Sequence, residues 1–156
     1  MGDLQFKAKK VSRTATIICN VNIEKVFPLF GAFEERKWAE GWEPNLIYPA
    51  EEIIEEGTTF KTDGNDEESE YLWRVVKFYP KKYLIQYLVS TENRYWTITA
   101  QCNKLEKENK TLVTITYTFI GLNEKGNRLN AQHIERMYKN NLKDWEEEIN
   151  KYLEKN

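Results

Sequence analysis

Near the end of the chain hydrophobic and polar side chains alternate strictly, with Val113, Ile115, Tyr117 and Phe119 interleaved by Thr114, Thr116 and Thr118. A period of two sends neighbouring residues to opposite faces of a strand, so this segment predicts one dry face and one wet face. Strand-like runs cover residues 14–19, 46–55, 58–62, 71–79, 83–90, 95–105 and 112–120. In the first of them Ala15, Ile17 and Cys19 share a face with Val21. Short turn signals separate the later runs: Glu56-Gly57, Asp63-Gly64-Asn65-Asp66, Pro80-Lys81-Lys82, Glu92-Asn93 and the charged stretch 106–110. Connections this short suit hairpins rather than parallel crossovers, which predicts a meandering antiparallel sheet.

Elsewhere the period becomes helical. After the first strand Asn22 can cap a helix in which Ile23, Val26, Phe27 and Phe30 line one side, with Val21 and Val26 placed as a hydrophobic staple. Pro28 must kink or shorten that helix, Gly31 breaks it, and residues 33–38 offer a second short helical turn. From about residue 127 onward Ile134, Met137, Tyr138, Leu142, Trp145, Ile149, Tyr152 and Leu153 fall at three- and four-residue steps, which predicts a long amphipathic terminal helix. Gly121 and Asn123 mark the exit from the last strand and a first cap. The fold class that follows is α+β: a single domain over residues 1–156, with a curved antiparallel sheet of about seven strands, two short helices after the first strand, and a long C-terminal helix.

Composition changes this picture in one respect. Aromatic residues make up 13% of the chain, with five Trp and nine Tyr, more than a core of this size needs. Large flat rings on both the sheet and the terminal helix pack poorly unless something fills the gaps between them, which points to an internal pocket for an apolar small molecule. The candidate wall is Trp73, Tyr87, Trp96, Ile98, Tyr117 and Phe119 from the sheet and Met137, Trp145 and Ile149 from the helix, with Trp38 near the entrance. Any one of these residues is better explained as ordinary core; the set as a whole favours a pocket. Trp38 and Trp42 could gate entry or pack the short helices onto the sheet.

Charge and motifs exclude much else. A net charge of −2, with lysines interleaved among glutamates, argues against nucleic acid as a partner. No stretch approaches the roughly 20 apolar residues of a membrane span, so stable membrane insertion is not expected. The start, Met1-Gly2-Asp3-Leu4, lacks the apolar run of a secretory signal, and a cytoplasmic location is the expectation. Met1-Gly2 is only a weak myristoylation cue, because Phe6 stands where Ser or Thr would be needed. Cys19 and Cys102 lie in separate strand-like runs and read as buried, reduced thiols.

His133, the sole histidine, could act as a general acid or base but reads as a partly exposed helix residue. The serines, Ser12, Ser69 and Ser90, lie outside any GxSxG turn, and the glycines are too dispersed for a nucleotide loop. No His, Cys and carboxylate cluster has metal-ligand spacing, so neither metal nor cofactor is expected. Arg36 with Glu35 and Glu40 could present a charged group to an acidic ligand, although a surface helix carries such residues anyway. Glu51-Glu52, Glu55-Glu56 and Asp66-Glu67-Glu68 lack calcium-loop spacing and read as solvated hairpin edges.

The run Glu35-Arg36-Lys37-Trp38-Ala39-Glu40-Gly41-Trp42-Glu43-Pro44, then Tyr48-Pro49, Gly57-Thr58-Thr59-Phe60-Lys61-Thr62, Trp73 and residues 111–117, resembles the SRPBCC group of the START-like superfamily, in its uncharacterised prokaryotic branch. Birch-pollen-allergen-like proteins, lipid-transfer START domains, polyketide cyclase/dehydrase-like proteins and activators of a heat-shock chaperone share its helix-grip fold. The resemblance covers nearly the whole chain and is most specific from Trp38 to Pro49. It implies a strongly curved sheet gripping the last helix, with a cavity opening near the short helices and a hydrophobic or amphipathic ligand within.

Residues and resemblance together predict binding or transport of a hydrophobic or aromatic small molecule, or a lipid, by a monomer or weak dimer. A non-enzymatic ligand-binding domain is favoured. One alternative is a cyclase, dehydratase or hydrolase that uses a cavity tyrosine, His133 or a carboxylate as acid or base. Another is a chaperone-associated or regulatory interaction module, which would expose an apolar patch.

Overall fold

Alternation becomes sheet. Strands β1 (Lys10–Cys19), β2 (Asn45–Tyr48), β3 (Thr59–Asp63), β4 (Glu70–Tyr79), β5 (Leu84–Ser90), β6 (Arg94–Leu105) and β7 (Lys110–Gly121) pair antiparallel in the order β1-β7-β6-β5-β4-β3-β2. This is a computed structural model that describes residues 5–65 and 67–156; Met1-Gly2 and Asp66 lie outside the described residues. On β7 the inward Val113, Ile115, Tyr117 and Phe119 are buried, while the outward Thr116 and Thr118 hydroxyls bond Thr14 and Ser12 of β1, each at 2.9 Å. On β4 the register shifts between Val75 and Lys77, so Val76 bulges outward and Phe78 returns to the inner side. A bulge of this kind bends its strand and adds to the curl of the sheet.

The run at 46–55 becomes strand only as far as Tyr48. Pro49 has no N–H to offer a ladder. The following loop is organised instead by the buried Thr58, whose hydroxyl accepts from Glu55 N at 2.9 Å and donates to Ile53 O at 2.8 Å.

Helix α1 (Ile23–Val26) begins where Asn22 Oδ1 accepts from Lys25 N at 3.1 Å. Pro28 then opens a 3-10 turn, Phe27–Phe30, at a position where its missing N–H costs nothing. A second 3-10 turn follows at Glu34–Lys37.

The terminal stretch differs from the expectation of one long helix. It is two, α2 (Glu124–Met137) and α3 (Lys143–Lys155), separated by a turn in which Asn141 and Leu142 take the left-handed φ values of 54° and 61°. Asn140-Asn141 is a turn-prone pair. Burial holds the break in place: Leu142 is fully enclosed, and the Tyr138 hydroxyl donates to Ile115 O at 3.1 Å.

Each helix is fixed to the sheet by a specific device. At the start of α2 Asn123 Oδ1 accepts from Gly126 N at 2.7 Å, and Gly126 lies so near the β5–β6 turn that a Cβ there would meet Asn93 O at 1.9 Å. Helix α3 covers the free edge of β1. Glu146 Oε2 accepts from Ile18 N at 2.7 Å, and the Asn150 amide both accepts from Asn20 N and donates to Ile18 O, each at 2.9 Å. The arrangement is the α+β helix-grip fold, a curved antiparallel sheet closed around C-terminal helices with short helices after the first strand. Cys19 and Cys102 are free and buried, and burial pushes each thiol up to about 12.

Candidate functional site

Between the inner face of the sheet, the Glu34–Lys37 turn and α3 lies a cavity of about 180 Å³. Among the residues singled out from the sequence, Trp38, Trp73, Tyr87, Ile98, Tyr117 and Trp145 line it. Trp96, Phe119, Met137 and Ile149 do not. Trp96 and Phe119 face inward further along the same strands and pack against His133, with ring centroids 5.1 and 5.0 Å away. Met137 ends α2 and packs partly buried against the core, and Ile149 is fully enclosed beneath α3. Glu35, Phe30, Trp42 and Ile115 complete most of the wall.

The rings meet mostly at steep angles. Trp42 stands edge-on to Trp73 at 5.2 Å, Trp73 edge-on to Tyr87 at 5.8 Å, and Trp38 is tilted against Trp145 at 5.7 Å. Most polar tips on the wall are consumed by the protein itself. The indole N–H of Trp38 donates to Leu29 O at 2.8 Å, that of Trp42 to Ala32 O at 2.6 Å, and that of Trp73 to Thr62 Oγ1 at 2.9 Å. The Tyr87 hydroxyl donates to Phe30 O at 2.7 Å. The Trp38 and Trp42 bonds tie the segment after the second turn back to the first and its exit, and the Tyr87 bond ties that first turn to the sheet, so Trp38 and Trp42 are at once packing residues and cavity wall.

Glu35, Tyr117 and Trp145 differ. Among the described residues, the Glu35 carboxyl, the Tyr117 hydroxyl and the Trp145 indole N–H make no hydrogen bond within the protein. The neighbouring cations are engaged elsewhere: Arg36 bonds Glu52 at 2.5 Å, and Lys37 pairs with Glu34. Some of the Glu35 residue surface stays exposed, yet its carboxyl is crowded by the wall, and burial pushes it well above the usual carboxylate range. Burial first, and the Glu35 charge second, raise the Tyr87 and Tyr117 hydroxyls, which keeps both protonated as potential donors. The sequence did carry a signal for Glu35. Glu35, Trp38, Ala39 and Trp42 follow helical spacing, and all of them line the cavity.

At the other end of the inner face, beneath α2, sits a polar cluster that the sequence reading did not anticipate. Arg94 at the start of β6 is wholly buried, its guanidinium 2.7 Å from the buried Glu68 carboxylate. It also donates towards Tyr71 at 3.3 Å and Asn130 at 3.4 Å, and it lies 4.6 Å over the Trp96 ring. A second oxygen of Glu68 accepts from Thr91 at 2.5 Å and from Asn93 at 3.2 Å. Arg94 Nη1 lies 3.2 Å from His133 Nδ1, and since a guanidinium only donates, Nδ1 is the acceptor. Two expectations are thereby corrected. Glu68 is not part of a solvated edge, because Arg94 draws it inward; His133 is 6% exposed rather than partly exposed, because its place on α2 turns it onto Trp96 and Phe119 of the sheet. Among the described residues, no group of three or more His, Cys, Asp or Glu side chains could hold a metal ion.

Sheet order, the short helices between β1 and β2, and terminal helices closed over the inner face define a helix-grip fold. By sequence, no family model and no curated protein matches this chain. Solved structures do. Norcoclaurine synthase from Thalictrum flavum superposes with a TM-score of 0.68 at 10% identity, over 96% of this chain and 89% of that one. A protein from Nitrosospira multiformis reaches 0.63 at 13% identity, covering 90% and 96%. The protein Ara h 8.0201 reaches 0.61 at 14% identity, covering 96% and 100%. At such identities the likeness is one of fold. No helix among the described residues is long and apolar enough to cross a membrane.

Proposed function

We propose that this domain binds a small hydrophobic or amphipathic molecule in the cavity between the sheet and α3. The observation that carries the reading is the cavity itself: about 180 Å³, walled by aromatic rings, with the lining residues Glu35, Trp42, Trp73 and Trp145 retaining exposure on one side. An engineered cavity of about 150 Å³ is enough to hold benzene, whereas drug-sized ligands use about 300 Å³ or more. The ligand class is therefore a single ring or a short branched chain rather than a lipid tail. Tryptophan emission should respond saturably to a panel of single-ring compounds. Unchanged emission across the panel, together with an empty cavity in native mass measurement of protein from its own host, would defeat the proposal.

A second reading, an enzyme acting on such a ligand, is favoured by one feature. Glu35 and Tyr117 put a carboxyl raised by burial and a protonated hydroxyl on the same apolar wall, a pairing suited to proton transfer. Under this reading Glu35→Gln abolishes turnover of a bound compound while leaving its affinity in place. Equal turnover by the variant would remove Glu35 from the chemistry. Fold alone does not choose between carrier and enzyme.

A further inference from the structure

We infer that the cavity selects a small organic cation, its ammonium group held against the Glu35 carboxylate within a cage of indole and phenol rings. The inference rests on the ligand-binding reading above and narrows it to a class of ligand.

The lining contains no lysine or arginine; its ionisable groups are Glu35, Tyr87 and Tyr117. Every element packed around Glu35 withholds a counter-ion. On its own turn Arg36 is paired with Glu52 and Lys37 with Glu34. From β5 and β7 the facing groups are the Tyr87 and Tyr117 hydroxyls, both held protonated by burial and by Glu35 itself. From α3 the facing group is the Trp145 indole, and Lys143 on that helix is engaged with Glu146 at 3.3 Å. The described residues thus surround one acid with rings and offer it no positive charge.

Those rings suit a cation. The N–H groups of Trp38, Trp42 and Trp73 are tied into the protein, so what these side chains offer a ligand is carbon and π density. Indole is the strongest of the side-chain partners for an ammonium group. A neutral apolar ligand would bury the Glu35 carboxyl further and leave it without a partner, which is unfavourable. A cation supplies the missing partner and the rings stabilise the same charge. Proton balance follows directly. A quaternary ammonium brings no proton and pairs only with a carboxylate, so any proton on Glu35 passes to buffer as the ligand enters.

Choline and dimethylbutanol, its neutral isostere with carbon in place of nitrogen, isolate the charge. Calorimetry in two buffers of different ionisation enthalpy should show choline binding the wild type at least about tenfold more tightly than the alcohol. Choline should release up to one proton and bind more tightly as pH rises, and the alcohol should do neither. Glu35→Gln should abolish the proton release and narrow the preference to what the rings alone supply, while the alcohol still binds, which also reports an intact cavity. Trp145→Leu should weaken choline more than the alcohol. Alcohol binding as tight as choline, or choline binding unaltered by Glu35→Gln, overturns the cation inference and leaves the cavity reading standing. So does a cavity that takes an apolar probe such as toluene but neither of the pair. If none of these compounds binds, both readings fall together.

Discussion

The two ends of the inner sheet face use the same kinds of residue to opposite effect. Beneath α2, Trp96 and Phe119 pack around His133, and the buried acid Glu68 is matched to Arg94. Between α3 and the sheet, Trp38, Trp73 and Trp145 stand around a void, and the acid there, Glu35, pairs with no cation among the described residues. One end is completed by its own side chains. The other keeps its acid without a paired cation beside an unfilled volume. Aromatic content alone does not separate a core from a site; the state of the enclosed polar groups does. A buried polar group left unpaired in a native structure calls for a reason. Among the described residues the one fully buried side-chain nitrogen or oxygen without a partner is Asn130 Nδ2, beside Arg94 in the completed end.

The sharpest way to break this comparison is to remove one partner from the completed end. Glu68→Gln leaves Arg94 buried without its counter-charge, which should cost about 3–5 kcal/mol in urea unfolding. Glu35→Gln, also a carboxyl-to-amide change on the inner face, should not destabilise at neutral pH. Equal losses in the two variants would mean that the ends do not differ as described.

The next contrast is between indoles. Trp96 is 1% exposed and enclosed by Tyr71, Phe119 and His133, so Trp96→Ala should cost about 3–5 kcal/mol. Trp145 borders space that is already empty, and Trp145→Ala should cost clearly less by the same denaturation measurement. A loss at Trp145 as large as that at Trp96 would show that its ring closes the core rather than the cavity.

Much of this architecture was legible in the sequence, and what was hidden has physical causes. Alternation in β7 and the caps at Asn22 and Asn123 are local signals, and they read directly. The break between α2 and α3 is masked because apolar spacing runs on through Tyr138 and Leu142, while the left-handed turn depends on burial of those same residues. Arg94 at the head of a strand looks like any surface charge; its partner Glu68 lies 26 residues away, and only the folded sheet brings them together. Strand parity sends Trp96, Ile98, Tyr117 and Phe119 all inward. Parity cannot say which helix covers which of them, and that is what divides wall from core. Glu35 was half visible, since its helical spacing with Trp38 and Trp42 pointed the same way as the rings.

A smaller effect, but a diagnostic one, lies in pH. Burial raises the Glu35 carboxyl well above the ordinary 4.5, so the folded state holds that proton more tightly than the unfolded chain does. The stability linked to it is fully present below about pH 4.5 and is lost as pH rises through the folded-state value. Glu35→Gln lacks this dependence. Unfolding followed across pH should show wild type and variant running parallel at pH 4 and below, with the wild type falling behind as pH increases. Parallel curves throughout would place the carboxyl in water rather than against the wall.

The finest test compares two hydroxyls of the same cavity. Tyr87 donates to Phe30 O at 2.7 Å, whereas the Tyr117 hydroxyl has no hydrogen-bond partner among the described residues. Tyr87→Phe removes a donor and strands a buried carbonyl, which should cost about 1 kcal/mol. Tyr117→Phe removes a hydroxyl that makes no internal bond, so stability should hold or rise slightly. If the Tyr117 hydroxyl serves a ligand, the loss appears instead in affinity, measured by emission titration of the folded variant. A Tyr117→Phe protein that is both less stable and unaltered in binding would assign that hydroxyl to the fold, and the vacant end would differ from the completed end only in volume.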